Sequence, residues 1–495
     1  MSLLLNQPLY YMYIALSPAY AIRNEASASF LIRVDKIVNL KRSEFSAFCI
    51  PPFIGYILSH IGNLEYSESV KAISNTLKIS ASAIDKFIQQ LIENKENKEF
   101  LLSKTQSIVF PSELLIQYSD KPNPNVYEEN SFNGLGEFVI KRPSVPLSAN
   151  LMVTTNCSTD CVYCYANRKL RPLLKTDKLL DLIKELHDEG VVNLTLTGGD
   201  VFVHPDWATI LECVRQYGYK PFLSTKTPLT YEQIQYLRDL GYEEIQFSLD
   251  SVDNDVLKSL INVKNGYLDK VSSFLNHCTE LGINVLIRSV LTKLNASKDN
   301  VLSLYEFLSD FDCVKEWVMT PAFFSKYKES EYKHLEAKNE DLISIYEFTK
   351  QSNFAFKIGL NKITDKGYIL KRFKTIEEYV CHNQICMANT TCISILANGD
   401  CSVCEMLYDN PEYILGNVSK SSIREIWNSE KALQLYTMKQ SHFPQSSPCL
   451  KCSVFDKCRN DFGKRVCYLD IAKLGYSKWN PDPRCPHADN VNIVL

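Results

Sequence analysis

The 495-residue chain has no marked excess of charge of either sign, because 54 basic residues stand against 57 acidic ones. It therefore offers no overall electrostatic attraction to nucleic acid or to an anionic membrane. A run of about twenty consecutive apolar residues, which a transmembrane helix would need, is also missing. We expect about two to four domains, with neither nucleic acid nor a membrane as a partner.

The first 22 residues imitate a secretory signal peptide, since an apolar stretch ends in Ala-Tyr-Ala at residues 19–21. They lack the positively charged start of such a peptide, and polar residues and a proline at 6–8 interrupt the apolar stretch. The 17 cysteines are an odd number, and a disulfide-rich secreted protein would be much shorter. We therefore expect a cytoplasmic protein with reduced cysteines that bind metal where they cluster.

Residues 1–120 are predicted to form a winged-helix-like α+β module, with extended runs first and helical patterns after them. In the last helical pattern the apolar residues from Ile84 to Ile92 share one face, and Ser80 or Ser82 is placed to cap it. The module holds 11 basic and 11 acidic residues, so no basic surface supports DNA binding. A packing or dimerisation domain is the simpler alternative. Residues 121–146, with a polar stretch rich in Pro and Asn, are predicted to be a linker.

Strand-like and helix-like patterns alternate from residue 147 to about 375. The strand-like runs include "LMVTT", "VNLTLTGGD", "KPFLSTK", "EIQFSLDS", "NVLIRSVLT" and "EWVMTP". Six strand-helix units in series predict an α/β fold with a parallel sheet, either open or curled into a partial (β/α)6 barrel like part of a TIM barrel. In such folds ligands bind at the carboxyl ends of the strands, so polar residues there are candidates for a site.

Three cysteines, Cys157, Cys161 and Cys164, stand in ten residues after the first of these strands. Thiolates at this spacing fit either zinc or an iron-sulfur cluster. Structural zinc usually takes four protein ligands, often as two separated pairs. A [4Fe-4S] cluster held by three cysteines leaves one iron free to bind a substrate or cofactor.

The Cys-x3-Cys-x2-Cys motif, with aromatic Tyr163 before its last cysteine, resembles that of the radical S-adenosylmethionine (SAM) superfamily. The resemblance implies that the open iron binds SAM, from which a 5′-deoxyadenosyl radical is made that abstracts hydrogen from a substrate. It also implies cofactor-binding roles for polar residues at the following strand ends. These are Gly198, Gly199 and Asp200, where the family has Gly-Gly-Glu, then Ser224 and Lys226, Ser248 and Asp250, and Arg288.

The last ten cysteines lie between Cys381 and Cys485. Their layout resembles the SPASM extension of radical SAM enzymes that modify peptides, and this implies two further [4Fe-4S] clusters, each with four cysteine ligands. The first implied set is Cys386, Cys392, Cys404 and Cys467, and the second is Cys449, Cys452, Cys458 and Cys485. Cys467 is further from Cys458 than is usual in the family, and Cys401 could compete with Cys404. A pair of zinc ribbons is the alternative for residues 376–495.

Glu405 follows Cys404 directly, at the position where sulfatase-maturing relatives have an aspartate base, so it is a candidate proton acceptor. Cys381 and Cys401 are surplus to the two sets. Cys49, Cys213, Cys278 and Cys313 have apolar neighbours in the sequence and are expected to be core residues.

Together these patterns predict a radical SAM enzyme, with three [4Fe-4S] clusters, that modifies a ribosomally made precursor peptide. By resemblance, residues 1–120 would bind the leader of that peptide as an added strand, and a flavodoxin or ferredoxin would supply electrons. Two alternatives stay open. One is a sulfatase-type maturase that oxidises Cys or Ser, and the other is a zinc-cluster protein without catalytic activity.

Overall fold

The computed structural model describes residues 12–34, 48–101, 107–322, 334–351, 353–367, 372–408 and 410–489. The polar interruption at residues 6–8 therefore lies outside the described residues. The chain divides into two compact units. The first comprises residues 1–147 and 186–193, and the second comprises residues 148–185 and 194–495.

The first unit combines short strands with three helices, as the sequence predicts. Its strands are β1 (Tyr13–Leu16), β2 (Tyr20–Asn24), β3 (Ser29–Arg33), β4 (Phe48–Ile50), β5 (Lys98–Leu101), β6 (Ser107–Phe110), β7 (Leu115–Tyr118) and β8 (Asn125–Glu128). Its helices are α1 (Pro52–His60), α2 (Tyr66–Leu77) and α3 (Ala81–Gln89). Strands β4, β3, β2 and β8 form one sheet in that order, while β1 pairs with β7 and β5 pairs with β6.

One apolar core holds the helices of this unit against its strands, including Ile22, Leu31, Ile57 and Ile88. The predicted cap is present, because Ser80 accepts a hydrogen bond from an amide in the first turn of α3. The hairpin of β5 and β6 packs on α3 through aromatic side chains. The winged-helix-like α+β prediction is confirmed.

The segment predicted as a linker includes a strand. Residues 125–128 form β8, which pairs in parallel with β2 from Ala21 to Asn24. The polar sequence around Pro122 and Pro124 gave no alternation by which a four-residue strand could be recognised.

The second unit holds the six predicted strands in the predicted order, as β9 (Ser148–Thr154), β10 (Asn193–Gly198), β11 (Ser224–Thr225), β12 (Glu244–Ser248), β13 (Asn284–Leu291) and β14 (Val314–Pro321). Helices α4 (Thr176–Asp188), α5 (Trp207–Gln216), α6 (Tyr231–Asp239), α7 (Asn254–Ile261), α8 (Tyr267–Leu281) and α9 (Lys298–Ser309) lie between them. Strands β11 to β14 are parallel neighbours, so their carboxyl ends meet at one edge. Within the described residues β10 and β11 belong to separate sheets.

Both sheets of the second unit are extended by strands that come later in the chain. The later strands are β15 (Lys357–Leu360), β16 (Cys392–Ile395), β17 (Asp400–Ser402) and β18 (Ile414–Asn417). Strand β15 continues the sheet after β14, and β16 pairs in parallel with β9, with Cys392 opposite Ser148. The cysteine-rich region thus shares a sheet with the strand that leads into the three-cysteine loop.

Helices complete the second unit among and after these strands. They are α10 (Asn339–Gln351), α11 (Ile376–His382), α12 (Ile423–Trp427), α13 (Glu430–Tyr436), α14 (Phe455–Arg459) and α15 (Tyr468–Lys473). The C-terminal helices are short, and much of the chain between them runs in turns and 3-10 segments.

Candidate functional site

The three-cysteine loop lies directly after β9, at the carboxyl end of the strand. Two backbone hydrogen bonds hold it against the end of α7, from Asp160 N to Ile261 O at 3.0 Å and from Val162 N to Leu260 O at 2.9 Å. Burial raises the pKa of the Cys157 thiol to about 12, so this thiol is protonated at neutral pH until a metal displaces the proton. The two backbone hydrogen bonds thus position the loop next to α7.

Gly198 and Gly199 let the end of β10 pack closely against the start of this loop. The amide of Gly199 donates to Thr154 O at 2.7 Å, and the amide of Asp200 donates to Asn156 O at 2.7 Å. A Cβ atom on Gly199 would lie 2.0 Å from Asn156 O, a distance that no side chain can adopt. The glycines were predicted to contact a cofactor. The structure shows a second reason for glycine at these positions, which is close contact between two backbone segments.

The carboxylate of Asp200 is buried and accepts several hydrogen bonds from the protein. Its Oδ2 accepts from Thr225 Oγ1 at 2.7 Å and from Thr227 Oγ1 at 2.8 Å. Its Oδ1 accepts from the amide of Phe202 at 3.1 Å. Asp200 thus ties the end of β10 to the end of β11. Its predicted contact with the cofactor stays a prediction, and any such contact would share the carboxylate with these donors.

Asp250 lies at the centre of a buried group that contacts the cysteine loop. The hydroxyl of Tyr163 donates to Asp250 Oδ2, and Lys226 Nζ donates to the same oxygen at 2.8 Å. Asp250 Oδ1 accepts from the amide of Val290 at 2.8 Å. Burial alone would lower the pKa of Lys226, but the charge of Asp250 raises it above its usual value. This ion pair therefore fixes Tyr163, and with it the loop, to the ends of β11 and β12.

The remaining predicted cofactor residues lie on three neighbouring strands of the parallel sheet. Ser248 stands opposite Arg288 in the register of β12 and β13, and its hydroxyl accepts from Gln246 Nε2 at 2.8 Å. Burial lowers the pKa of Arg288, while the charges of Glu316 and Glu244 raise it, with a net decrease. Ser224 is at the start of β11, next to these strands. Arg288 lies in the middle of β13 rather than at its end. The cofactor contacts of Ser224, Ser248 and Arg288 stay predictions.

The second set of four cysteines lines a single cavity of about 350 Å³, part of it open to solvent. Cys449, Cys452, Cys458 and Cys485 all contribute to its wall. Burial raises the pKa of the Cys458 thiol to about 12 and that of Cys485 to about 11. Four thiols around one cavity are the donor set that a cubane cluster requires.

Three members of the first set of four, Cys386, Cys392 and Cys467, lie close to one another. The amide of Cys386 donates to Lys464 O at 2.8 Å, three residues before Cys467. Burial raises the pKa of the Cys392 and Cys467 thiols, and a neighbouring thiolate at Cys386 would raise both further. The charge of Glu405, the residue after Cys404, also raises the pKa of the Cys392 thiol. Cys467 therefore lies beside this set despite its unusual spacing in the sequence.

Asp482 connects the two sets of cysteines. Its Oδ2 accepts from the amide of Cys467 at 2.8 Å, and its backbone oxygen accepts from the amide of Cys485 at 2.9 Å. Arg484 holds the Asp482 carboxylate through its Nε and Nη2 at 2.8 and 2.7 Å. One buried aspartate thus contacts a predicted ligand of each set, a link for which the sequence gave no signal.

Glu405 lies close to Tyr165, because the charge of Glu405 is the largest cause that raises the pKa of this tyrosine. Charge on Cys164 and Cys404 would also raise the pKa of the Tyr165 hydroxyl. Tyr165 therefore lies near the three-cysteine loop and near Cys404 of the first set. Sequence reasoning did not single out Tyr165.

The two surplus cysteines differ in their surroundings. Cys401 is fully buried on β17. Burial raises the pKa of its thiol, and the charges of Asp400 and Glu185 raise it further. Cys381 is exposed at the end of α11. This supports Cys404, rather than Cys401, as the member of the first set. Cys278 and Cys313 are buried, as expected of core residues, whereas Cys49 and Cys213 are partly exposed.

Two families match this chain in the regions just described. Residues 151–308 match the radical SAM superfamily, and residues 386–453 match the SPASM iron-sulfur cluster-binding domain. The chain carries a radical SAM domain and a SPASM domain. The first match begins in β9 and contains the three-cysteine loop, and the second contains Cys386, Cys392, Cys404, Cys449 and Cys452.

A curated relative is the antilisterial bacteriocin subtilosin biosynthesis protein AlbA of Bacillus subtilis (strain 168). It is 28% identical over 97 residues, which are 19% of this chain and 22% of AlbA. The chain thus matches less than a quarter of the length of that relative.

Solved structures with a similar fold include SuiB of Streptococcus suis, bound to its precursor peptide SuiA and, separately, bound to S-adenosylmethionine. Each is 15% identical and has a TM-score of 0.61, over 95% of this chain and 99% of that chain. At this identity the likeness shows a shared fold, and it extends over nearly the whole chain.

The donor sets fit the groups that the two domains imply. The radical SAM domain has three thiols in one loop after β9, and the SPASM domain has a cavity lined by four thiols. Among the described residues, no three His, Cys, Asp or Glu side chains converge on one point as ligands of a single ion would. Within the same residues, no helix is long and apolar enough to cross a membrane.

Proposed function

We propose that this protein is a radical SAM enzyme that modifies a ribosomally made precursor peptide. The observation that carries the proposal is the three-cysteine loop, fixed by Tyr163 at the strand ends of a radical SAM domain that is followed by a SPASM domain. Bound there, S-adenosylmethionine would supply a 5′-deoxyadenosyl radical that abstracts hydrogen from the substrate. The chemistry is the cofactor's, and the protein's part is to bind, orient and exclude water.

The residues around the loop have separate tasks under this proposal. Cys157, Cys161 and Cys164 would hold a [4Fe-4S] cluster through three of its irons. Lys226, Ser224, Ser248 and Arg288 would contact the polar parts of the cofactor, as would Gly198, Gly199 and Asp200. Asp250 would act mainly by holding Lys226 and Tyr163, since both of its oxygens already accept protein hydrogen bonds. The two sets of four cysteines would bind two further clusters, making three in all.

The substrate is proposed to be a peptide because of the first unit. Radical chemistry alone does not require a neutral winged-helix-like module. Such a module can instead bind an extended peptide, because the edge of a strand offers backbone hydrogen bonds to it. The relatives named above point the same way, since AlbA is a bacteriocin biosynthesis protein and SuiB was solved with its precursor peptide. We propose that the leader adds as a strand to this unit, that the core of the peptide reacts, and that a flavodoxin or ferredoxin supplies electrons in a cytoplasmic setting.

The test is anaerobic reconstitution with iron, sulfide, dithionite, S-adenosylmethionine and the small peptide encoded beside this gene, read by mass spectrometry. Formation of 5′-deoxyadenosine together with a changed peptide would support the proposal. A loss of two hydrogens would indicate a crosslink, no mass change would point to epimerisation, and a larger loss to excision. A peptide without its leader should be modified at least about tenfold more slowly. Loss of the leader contacts would weaken binding, and about 1.4 kcal/mol of binding free energy is a factor of ten in affinity.

The variant with Cys157, Cys161 and Cys164 all changed to Ala is the matched control. It should cleave no cofactor and should bind about eight irons rather than about twelve, because each cubane holds four. Absence of both 5′-deoxyadenosine and a changed peptide in the wild type would refute the proposal.

A sulfatase-type maturase is the second candidate, and one observation favours it. Glu405 lies beside Tyr165, near the three-cysteine loop, where a base would be needed to oxidise a Cys or Ser side chain. A sulfatase-derived peptide in place of the neighbouring precursor distinguishes the two. The zinc-cluster alternative would instead give zinc without acid-labile sulfide.

A further inference from the structure

Arg459 is a buried cation at the wall of the cavity that the second set of four cysteines lines. It ends α14, directly after Cys458, and it is 1% exposed. Its Nη2 lies 3.7 Å from Cys449 Sγ, within hydrogen-bond distance of a sulfur acceptor. The guanidinium therefore contacts one predicted cluster ligand and is adjacent in sequence to another.

The other contacts of this guanidinium are neutral. Arg459 Nη1 donates to Lys478 O at 2.9 Å and lies 3.8 Å from Met438 Sδ, while Nη2 also donates to Asn480 O. The Phe443 ring packs on the guanidinium, with its centroid 4.9 Å from Cζ. In the described part of the chain, no carboxylate forms an ion pair with Arg459.

A permanently charged guanidinium is costly to bury without an opposite charge. Carbonyl oxygens and an aromatic ring offset part of that cost but do not neutralise the charge. A cubane with four thiolate ligands has a net negative charge, and the cavity beside Arg459 presents those four thiols. A bound cluster would therefore supply the missing partner, and the arginine would in turn favour the more negative, reduced form of the cluster.

We propose that Arg459 is a positioning residue for the second auxiliary cluster, which retains that cluster and raises its reduction potential through an N–H···S contact with Cys449. Hydrogen bonds to the sulfurs and nearby charge are the means by which proteins set such potentials. A second buried cation lies nearby, since Lys464 Nζ donates to the backbone oxygens of Arg459 and Tyr436. The inference rests on the cluster set of the proposed function.

The experiment compares the wild type with R459M and R459K after anaerobic reconstitution. Iron and sulfide are counted per chain, and each cluster is titrated by electron paramagnetic resonance at controlled potential. A C485A variant, which lacks one ligand of the second set, identifies the signal that belongs to this cluster. R215M is the matched control, because Arg215 donates to Leu240 O and Tyr219 O away from all of the predicted clusters.

R459M is expected to shift the midpoint potential of the second auxiliary cluster to a more negative value, with the other two unchanged. R459K should give a smaller shift, since lysine keeps the charge but not the planar fork. Loss of about four irons in R459M, with recovery in R459K, would also support the proposal.

Unchanged iron content and unchanged potentials in R459M would overturn the inference, as would an equal shift in R215M. Loss of the whole fold in both R459M and R459K would also overturn it, because the arginine would then be a general structural residue. A wild type that binds no third cluster would instead count against the proposed cofactor set.

Discussion

Lys226 Nζ lies 2.8 Å from Asp250 Oδ2 in the interior of the protein, where Asp250 is fully buried and Lys226 nearly so. The same oxygen accepts the hydroxyl hydrogen of Tyr163, the residue before the last cysteine of the loop. This ion pair links three separate parts of the chain: the cysteine loop, the end of β11 and the end of β12. The loop thus depends on a charge that is 86 residues further along the chain than Cys164.

The D250N variant is expected to loosen the loop and to lower stability. Asparagine keeps the shape but leaves Lys226 as a buried cation without its partner, which costs about 3 kcal/mol. The melting temperature should fall, and the iron content should fall by up to about four per chain while the SPASM clusters remain. Asp255 is exposed in the first turn of α7, so the D255N variant is the control and should behave as the wild type. Equal stability and iron content in D250N would contradict this role for Asp250.

The G199A variant is expected to lose the cluster of the radical SAM domain. The added methyl group would lie 2.0 Å from Asn156 O, a backbone atom that cannot move without shifting Cys157. Iron should fall by about four per chain, as measured together with sulfide. G218A is the control, because Gly218 has a positive φ but open space around it, so it should lose only about 1 kcal/mol and keep its iron. Full iron content in G199A would show that the backbones can separate.

Alkylation should distinguish the two surplus cysteines. Cys401 is fully buried, and burial raises the pKa of its thiol, so little reactive thiolate is present at pH 7.5. Cys381 is exposed and should react within minutes with a maleimide, as read by peptide mass spectrometry of the reconstituted protein. Denatured protein should be labelled at both. Rapid labelling of Cys401 in the folded protein would contradict its placement on β17.

The E405Q variant tests whether Glu405 accepts a proton. If it does, 5′-deoxyadenosine should still form while the peptide product falls by at least about 100-fold, the usual contribution of general base catalysis. Glu430 is exposed at the start of α13, so E430Q is the matched control. An unchanged yield of product in E405Q would exclude Glu405 as the base.

The order of strands in the second unit could be predicted from the sequence because each strand has its own local pattern. "VNLTLTGGD" and "EIQFSLDS" both end in polar residues, and parallel strands bring those ends together. The cap of α3 by Ser80 could be predicted for the same reason, since capping is local.

Non-local contacts could not be predicted in this way. The pairing of β16 with β9 joins residues about 240 positions apart, and neither strand has a sequence pattern that identifies the strand it pairs with. The family resemblance implied that Asp250 binds the cofactor, but its contacts with Tyr163 and Lys226 depend on side-chain directions that the sequence does not show. The burial of Arg459 could not be predicted, because a sequence does not show that a single charged residue is buried.

A radical formed at the three-cysteine site is proposed to take hydrogen from a peptide. The most direct measurement uses the precursor peptide with all carbon-bound hydrogens replaced by deuterium, incubated anaerobically with reconstituted enzyme, dithionite and unlabelled S-adenosylmethionine. Mass spectrometry should find deuterium in the 5′-deoxyadenosine together with a changed peptide. Formation of 5′-deoxyadenosine without deuterium, and with the peptide unaltered, would contradict the claim.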